Sequence, residues 1–191
     1  MSNETDTSGF STFLREFMGE SDRAAVVLGA AKLDLLLRQI IEKVLLASPG
    51  KSDDLFDGDS PLSTFSAKIN LAYRLGLIDA ALTRSLHLIR KIRNDFAHEP
   101  SGVSLEEGSH RDRVRELVAP LLQYEEFKGF IKAGEETHDL PGSSLKFRVL
   151  LGWIAWMLEK LFEYCQTLSP RITKRLIPGN WEKEKIEVGS G

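Results

Sequence analysis

A single cysteine, Cys165, stands in 191 residues. No intrachain disulfide can form, and no cysteine pair is available to hold zinc. Long apolar runs are also missing. Charge interrupts the hydrophobic stretches before they reach the roughly 20 residues that a membrane helix needs. The first nine residues are polar and acidic, without the basic-then-apolar order of a secretion signal. Cytoplasm is therefore the expected compartment, with no membrane role. Positive charge is not in surplus: 25 Lys and Arg stand against 28 Asp and Glu, a formal net charge of -3. Polyanion affinity comes from clustered Lys and Arg, so any nucleic-acid contact needs a local basic face. No segment alternates polar and apolar residues between turn signals, and no strand is expected. No Gly-rich phosphate loop is present, and no internal repeat.

What is present is helical spacing. Hydrophobic residues make up 42% and charged residues 28% of the chain, as in an ordinary globular protein. The length suffices to bury a sizeable core. The pattern predicts a polar, disordered start over 1–9, one helical bundle over 10–168 and a weakly structured tail over 169–191. Phe10, Phe13, Leu14 and Phe17 lie at i, i+3, i+4 and i+7, the stripe of a short helix that caps the core. Ser21 is placed to cap a long second helix that runs to about residue 47, with Ala30, Leu33, Leu37, Ile40 and Val44 on one apolar face. The first half of that helix is apolar nearly all round, which points to burial on two sides, one of them against a second subunit. Ser60-Pro61 signals a third helix that Gly76 ends. Asp79 caps a fourth that closes at His98, before Pro100. A fifth covers about 109–123, kinked or divided at Pro120. Residues 124–142 read as a loop with short helical pieces. A last long helix covers about 143–168, with Val149, Trp153, Trp156, Met157, Lys160 and Tyr164 on its inner side. The expected fold is an all-α, single-domain bundle of five to six helices.

The fourth helix carries the chemistry. Side chains four residues apart differ by about 40° in direction, so Leu82, Leu86, Ile89, Arg93 and Phe96 share an apolar stripe in which Arg93 is the one charge. A second stripe, Arg84, His87, Lys91, Asn94 and His98, is polar and basic. From residue 74 to 98 there are five Lys and Arg and two Asp, a local +3. An arginine can hold phosphate oxygens through two hydrogen bonds, and a histidine near its ordinary pKa can pass a proton to or from a ribose hydroxyl. No metal or other cofactor is needed for that chemistry. The spacing alone is weak, since about one such Arg-to-His pair is expected by chance among 13 Arg and 4 His. The bland reading pairs Arg93 with a core carboxylate and lets His98 simply end a helix. Elsewhere, Cys165 reads as core, and His110 and His138 read as solvated loop residues rather than metal ligands. The loop at Asp53, Asp57 and Gly58 has Leu55 and Thr64 where calcium would need oxygen ligands.

Arg93-Asn94-Asp95-Phe96-Ala97-His98, closing a helix of an all-helical chain, resembles the motif of the HEPN superfamily. Together with Pro61-Leu62-Ser63-Thr64-Phe65-Ser66-Ala67-Lys68-Ile69 and Leu75-Gly76-Leu77-Ile78, it makes residues 20–165 similar to the mannitol operon repressor (MltR) family. That resemblance implies a HEPN-like fold and a bacterial, repressor-type regulator of sugar-alcohol use. By the superfamily's pattern His98 matches the catalytic histidine, Arg93 the phosphate-binding arginine and Asn94 the polar neighbour. Three functions follow. The first is a non-enzymatic regulator, a homodimer, acting through a protein partner. The second is a metal-independent endoribonuclease using Arg93, Asn94 and His98. The third is a direct DNA binder through residues 62–98, with Arg84, His87, Arg90 and Lys91 on the nucleic acid.

Overall fold

A computed structural model of the chain describes residues 17–48, 50, 55–99 and 102–169. The expected disordered start, most of the capping helix and the tail beyond 169 lie outside the described residues. Those described form an all-α bundle: α1 (Asp22–Val44), α2 (Phe65–Arg74), α3 (Ala80–His98), α4 (Gly108–Val118), α5 (Glu125–Thr137) and α6 (Gly142–Tyr164), with a 3-10 turn at Ala119–Leu121. No strand occurs among them. The 3-10 turn falls at Pro120, whose missing N–H ends the regular helix there.

Caps set the boundaries. The Ser21 hydroxyl accepts from Ala24 N at 3.2 Å and opens α1. The Asp79 carboxylate accepts from Leu82 N at 2.8 Å and opens α3. Gly76 takes a φ of 72° after α2. Its N–H reaches the Tyr73 carbonyl and that of Leu77 reaches Ala72, each at 2.9 Å, the double bond that closes a helix on a left-handed glycine.

α1 and α6 form the central pair. α2 and α3 pack on α1 and on each other, α4 packs on α6 and α3, and α5 packs on α6. The predicted α1 stripe from Ala30 to Val44 is buried throughout. The first half of α1 is less enclosed than its composition suggested: Leu28 is 47% exposed. Leu28 belongs to the half of the helix for which the sequence suggested a second subunit. At the far end of α1, Thr167 Oγ1 donates to Lys43 O at 2.9 Å and Leu168 N to Val44 O at 2.7 Å, so the segment after α6 is stitched to the C-terminal end of α1.

Three expectations are corrected. α2 begins at Phe65 on the Thr64 cap, not at Ser60-Pro61. The intervening residues instead turn so that the Leu62 and Ser63 carbonyls accept from Lys68 Nζ at 3.3 and 3.2 Å. Residues 125–137 form one helix rather than a loop. Gly134 is tolerated there because Leu145 lies where its side chain would be. The inner side of α6 is Leu145, Arg148, Leu151, Ile154, Ala155 and Leu158, while Trp156, Met157 and Tyr164 are exposed. This helix is apolar on more than one side, so its periodicity does not single out the face that meets α1.

Candidate functional sites

α3 buries Leu86, Ile89, Ile92 and Phe96 against the bundle. That choice of face turns Arg84, His87, Arg90, Lys91 and Asn94 toward α4, where with Asp95 and Glu116 they line an open groove of about 510 Å³. The residues singled out for nucleic-acid contact thus meet in one place. Their charge is partly spent. Arg84 pairs with Glu116. Asp95 accepts from Arg113 at 2.5 Å and faces His110 Nε2 at 3.2 Å. Arg90 Nε is buried and has no hydrogen-bond partner among the described residues. Lys91 is exposed. His87 Nε2 lies 3.0 Å from Asn70 Oδ1. Burial, with the nearby Arg90 charge added, holds the His87 imidazole below its usual pKa and favours the neutral ring.

Arg93 and His98 do not line this groove. Arg93 is half-buried beside the apolar stripe, and His98 is exposed at the end of the helix. Five residues turn their directions apart by about 140°. The carbonyls around His98 are already occupied: Arg23, from the first turn of α1, donates to Phe96 O and, at 2.5 Å, to Glu99 O. A cation is thereby seated on the helix C-terminus, where the macrodipole favours it. Arg23 drew no notice in the sequence, since a basic residue at a helix start gives no sign of reaching another helix's end. His110, read as a solvated loop residue, is in α4, packed edge-on to Phe96 with ring centroids 5.2 Å apart. For Asp95, burial would raise the carboxyl pKa, but hydrogen bonds from Arg113 and His110 and their charges outweigh it and hold the group below the usual range.

A second surface lies on the other side of the bundle. α5 presents Glu126, Gly129, Phe130, Ala133 and Thr137 to Val149, Gly152, Trp153 and Trp156 of α6, enclosing an apolar groove of about 840 Å³ that Met18 also lines. Glycine and alanine keep its floor low: a side chain built on Gly129 would meet nothing within 4 Å. Aromatic rings form its wall. Trp153 is in edge contact with Phe127 at 5.6 Å and with Phe130 at 5.9 Å, and Trp156 leans on it at 5.5 Å. Phe130 is 58% and Trp156 45% exposed, an apolar patch that marks interaction surfaces more often than bare solvent contact. Beneath it Arg148, 1% exposed, is held by Asp22 Oδ1 at 2.9 Å and Glu20 O at 2.7 Å. The sequence hid this groove because one of its walls, α5, read as a loop. The spacing of Phe127, Phe130, Ile131 and Gly134 was the signal available.

Among the described residues no group of three or more His, Cys, Asp or Glu could hold a metal ion, and no helix is long and apolar enough to cross a membrane. In comparisons with known proteins the chain matches no protein-family model, no curated protein and no solved structure.

Proposed function

We propose that the protein is a repressor-type transcriptional regulator of the MltR kind, acting through a protein partner that it receives in the apolar groove between α5 and α6. The observation that carries this reading is the groove itself: about 840 Å³, floored by small residues and walled by Phe130, Trp153 and Trp156. Two helices with such a furrow between them match the surface that takes an amphipathic helix by its apolar face. Partner energetics concentrate on buried aromatic anchors of this sort. The test is a comparison of host transcripts between a null strain, a Phe130→Glu/Trp156→Glu strain and an Arg90→Ala/Lys91→Ala strain. Genes released in the null should be released equally by the groove variant and stay repressed in the α3 variant. The reverse pattern would move the regulatory contact to α3.

A second reading is favoured by one observation, the meeting of Arg84, His87, Arg90, Lys91 and Asn94 in a single groove. In it the regulator touches nucleic-acid phosphates through α3. Arg90 and Lys91 then supply the contacts, and binding should weaken steeply with salt. Incubation of total RNA in EDTA with wild type and with His98→Ala asks in the same experiment whether Arg93 and His98 cleave. Equal activity in the two samples would assign cleavage to a contaminant.

A further inference from the structure

Two residues that line the α5–α6 groove, Glu126 and Arg148, carry a full charge. Arg148 is 1% exposed and is matched by Asp22 at 2.9 Å. Glu126 is exposed in the first turn of α5, and no described residue pairs with it. The lysine beside it on α5 and the one beyond Trp156 on α6 are engaged elsewhere. Lys128 holds Glu125 at 2.6 Å, and Lys160 holds Glu163 at 3.0 Å. The unanswered charge of an apolar, aromatic groove is therefore negative. We propose that this end of the groove binds a small organic cation with an apolar tail.

The aromatic rings stand at the same end as Glu126. Phe127, the next residue, meets Trp153 at 5.6 Å. Phe130, one turn along α5, meets it at 5.9 Å, and Trp156 leans on it at 5.5 Å. Aromatic faces attract cations through their quadrupole, and tryptophan does so most strongly. An anion would meet the same rings and the same carboxylate with the wrong sign. Hydration favours a weakly solvated cation, since a quaternary ammonium loses little water on entering such a site and a compact ammonium loses much. Beyond the rings the lining is Gly129, Ala133, Val149 and Gly152, low and apolar, a bed for a hydrocarbon tail. The volume of about 840 Å³ lies within the range of small-molecule sites, roughly 300–1,000 Å³.

The groove is the one assigned above to a protein partner. Under that reading the ligand and the partner helix exclude each other, so the cation acts as an effector. Binding of the cation itself does not depend on a partner.

The experiment is isothermal titration calorimetry of the full-length protein with two probes that share a tail and differ in charge, octyltrimethylammonium and octyl sulfate. Wild type should bind the cation about tenfold more tightly than the anion. Glu126→Gln, a change at an exposed position, should cut that ratio by about threefold. Gly129→Phe, placed where a side chain meets nothing within 4 Å, should fill the groove and abolish binding of the cation. Circular dichroism monitors the fold, and Ala133→Leu replaces Gly129→Phe if the latter loses helix. No saturable binding of the cation, equal or tighter binding of the sulfate, a ratio unchanged in Glu126→Gln, or binding that survives the filled groove overturns the proposal. The transcript comparison fails or succeeds separately, because it reads the partner's contact and uses no ligand.

Discussion

Arg148 and Lys68 carry charge where the bundle admits almost no water, 1% and 4% exposed. Each is tolerated because the neighbouring chain supplies oxygen. Arg148 has Asp22, Ser144 and the Glu20 carbonyl, and Lys68 has Asp34 at 3.0 Å and two loop carbonyls. Removing one partner of such a set strands the other, a loss of about 3–5 kcal/mol. Arg148→Ala should lower the unfolding free energy read from a urea titration by that amount, whereas Arg148→Met with Asp22→Asn should recover most of it. Neither cation announced its burial in the sequence, where Arg148 is one basic residue on a helix rich in apolar ones. Asp95 gives a pH prediction. Its pKa is depressed in the fold, so its contribution is complete above the unfolded value of about 3.9 and is lost as pH falls through the folded value. Acid titration of Asp95→Asn by circular dichroism should show a shallower fall in stability below about pH 4 than wild type. An unchanged slope would remove Asp95 from the acid response.

Among the helices, those with chemical punctuation were legible. Asp79 before α3 and Pro100 behind it leave little freedom, and α3 runs from Ala80 to His98 as read. Gly76 ended α2 as expected because only a residue without a side chain takes a φ of 72° at no cost. Gly76→Ala should therefore destabilise by about 1–2 kcal/mol, read from the thermal midpoint, although a side chain there would touch nothing. Where two signals competed, tertiary contacts chose. Ser60 and Thr64 are both good caps, and the Lys68 bonds to the Leu62 and Ser63 carbonyls decide for Thr64. Two glycines made α5 look like a loop, although Gly134 is there to admit Leu145. A helix that is apolar on several sides, like α6, cannot say from its own spacing which side is inside. The basic groove was readable because its residues share one face of one helix. The apolar groove was not, because it exists only between two helices, one of them unrecognised.

For the molecule as a whole, the central α1–α6 pair separates two surfaces of opposite character, basic on α3 and apolar between α5 and α6. The basic side should respond to pH through His87, whose pKa is depressed by burial and by Arg90. The ring is neutral at pH 7 and gains its charge only below its ordinary value of about 6.5. If α3 contacts nucleic acid, retention of a labelled RNA should therefore rise as pH is lowered below that ordinary value, and the rise should vanish in His87→Ala. Between the surfaces stand two adjacent residues at the start of α1. Asp22 grips the arginine under the aromatic furrow, and Arg23 holds the final carbonyls of the histidine-bearing helix. They are consecutive residues of one helical turn. An occupant of the furrow that shifted Asp22, and a ligand that shifted Arg23, would be coupled by the same factor in both directions. A single dipeptide thus anchors both the floor of the aromatic furrow and the closing turn of α3.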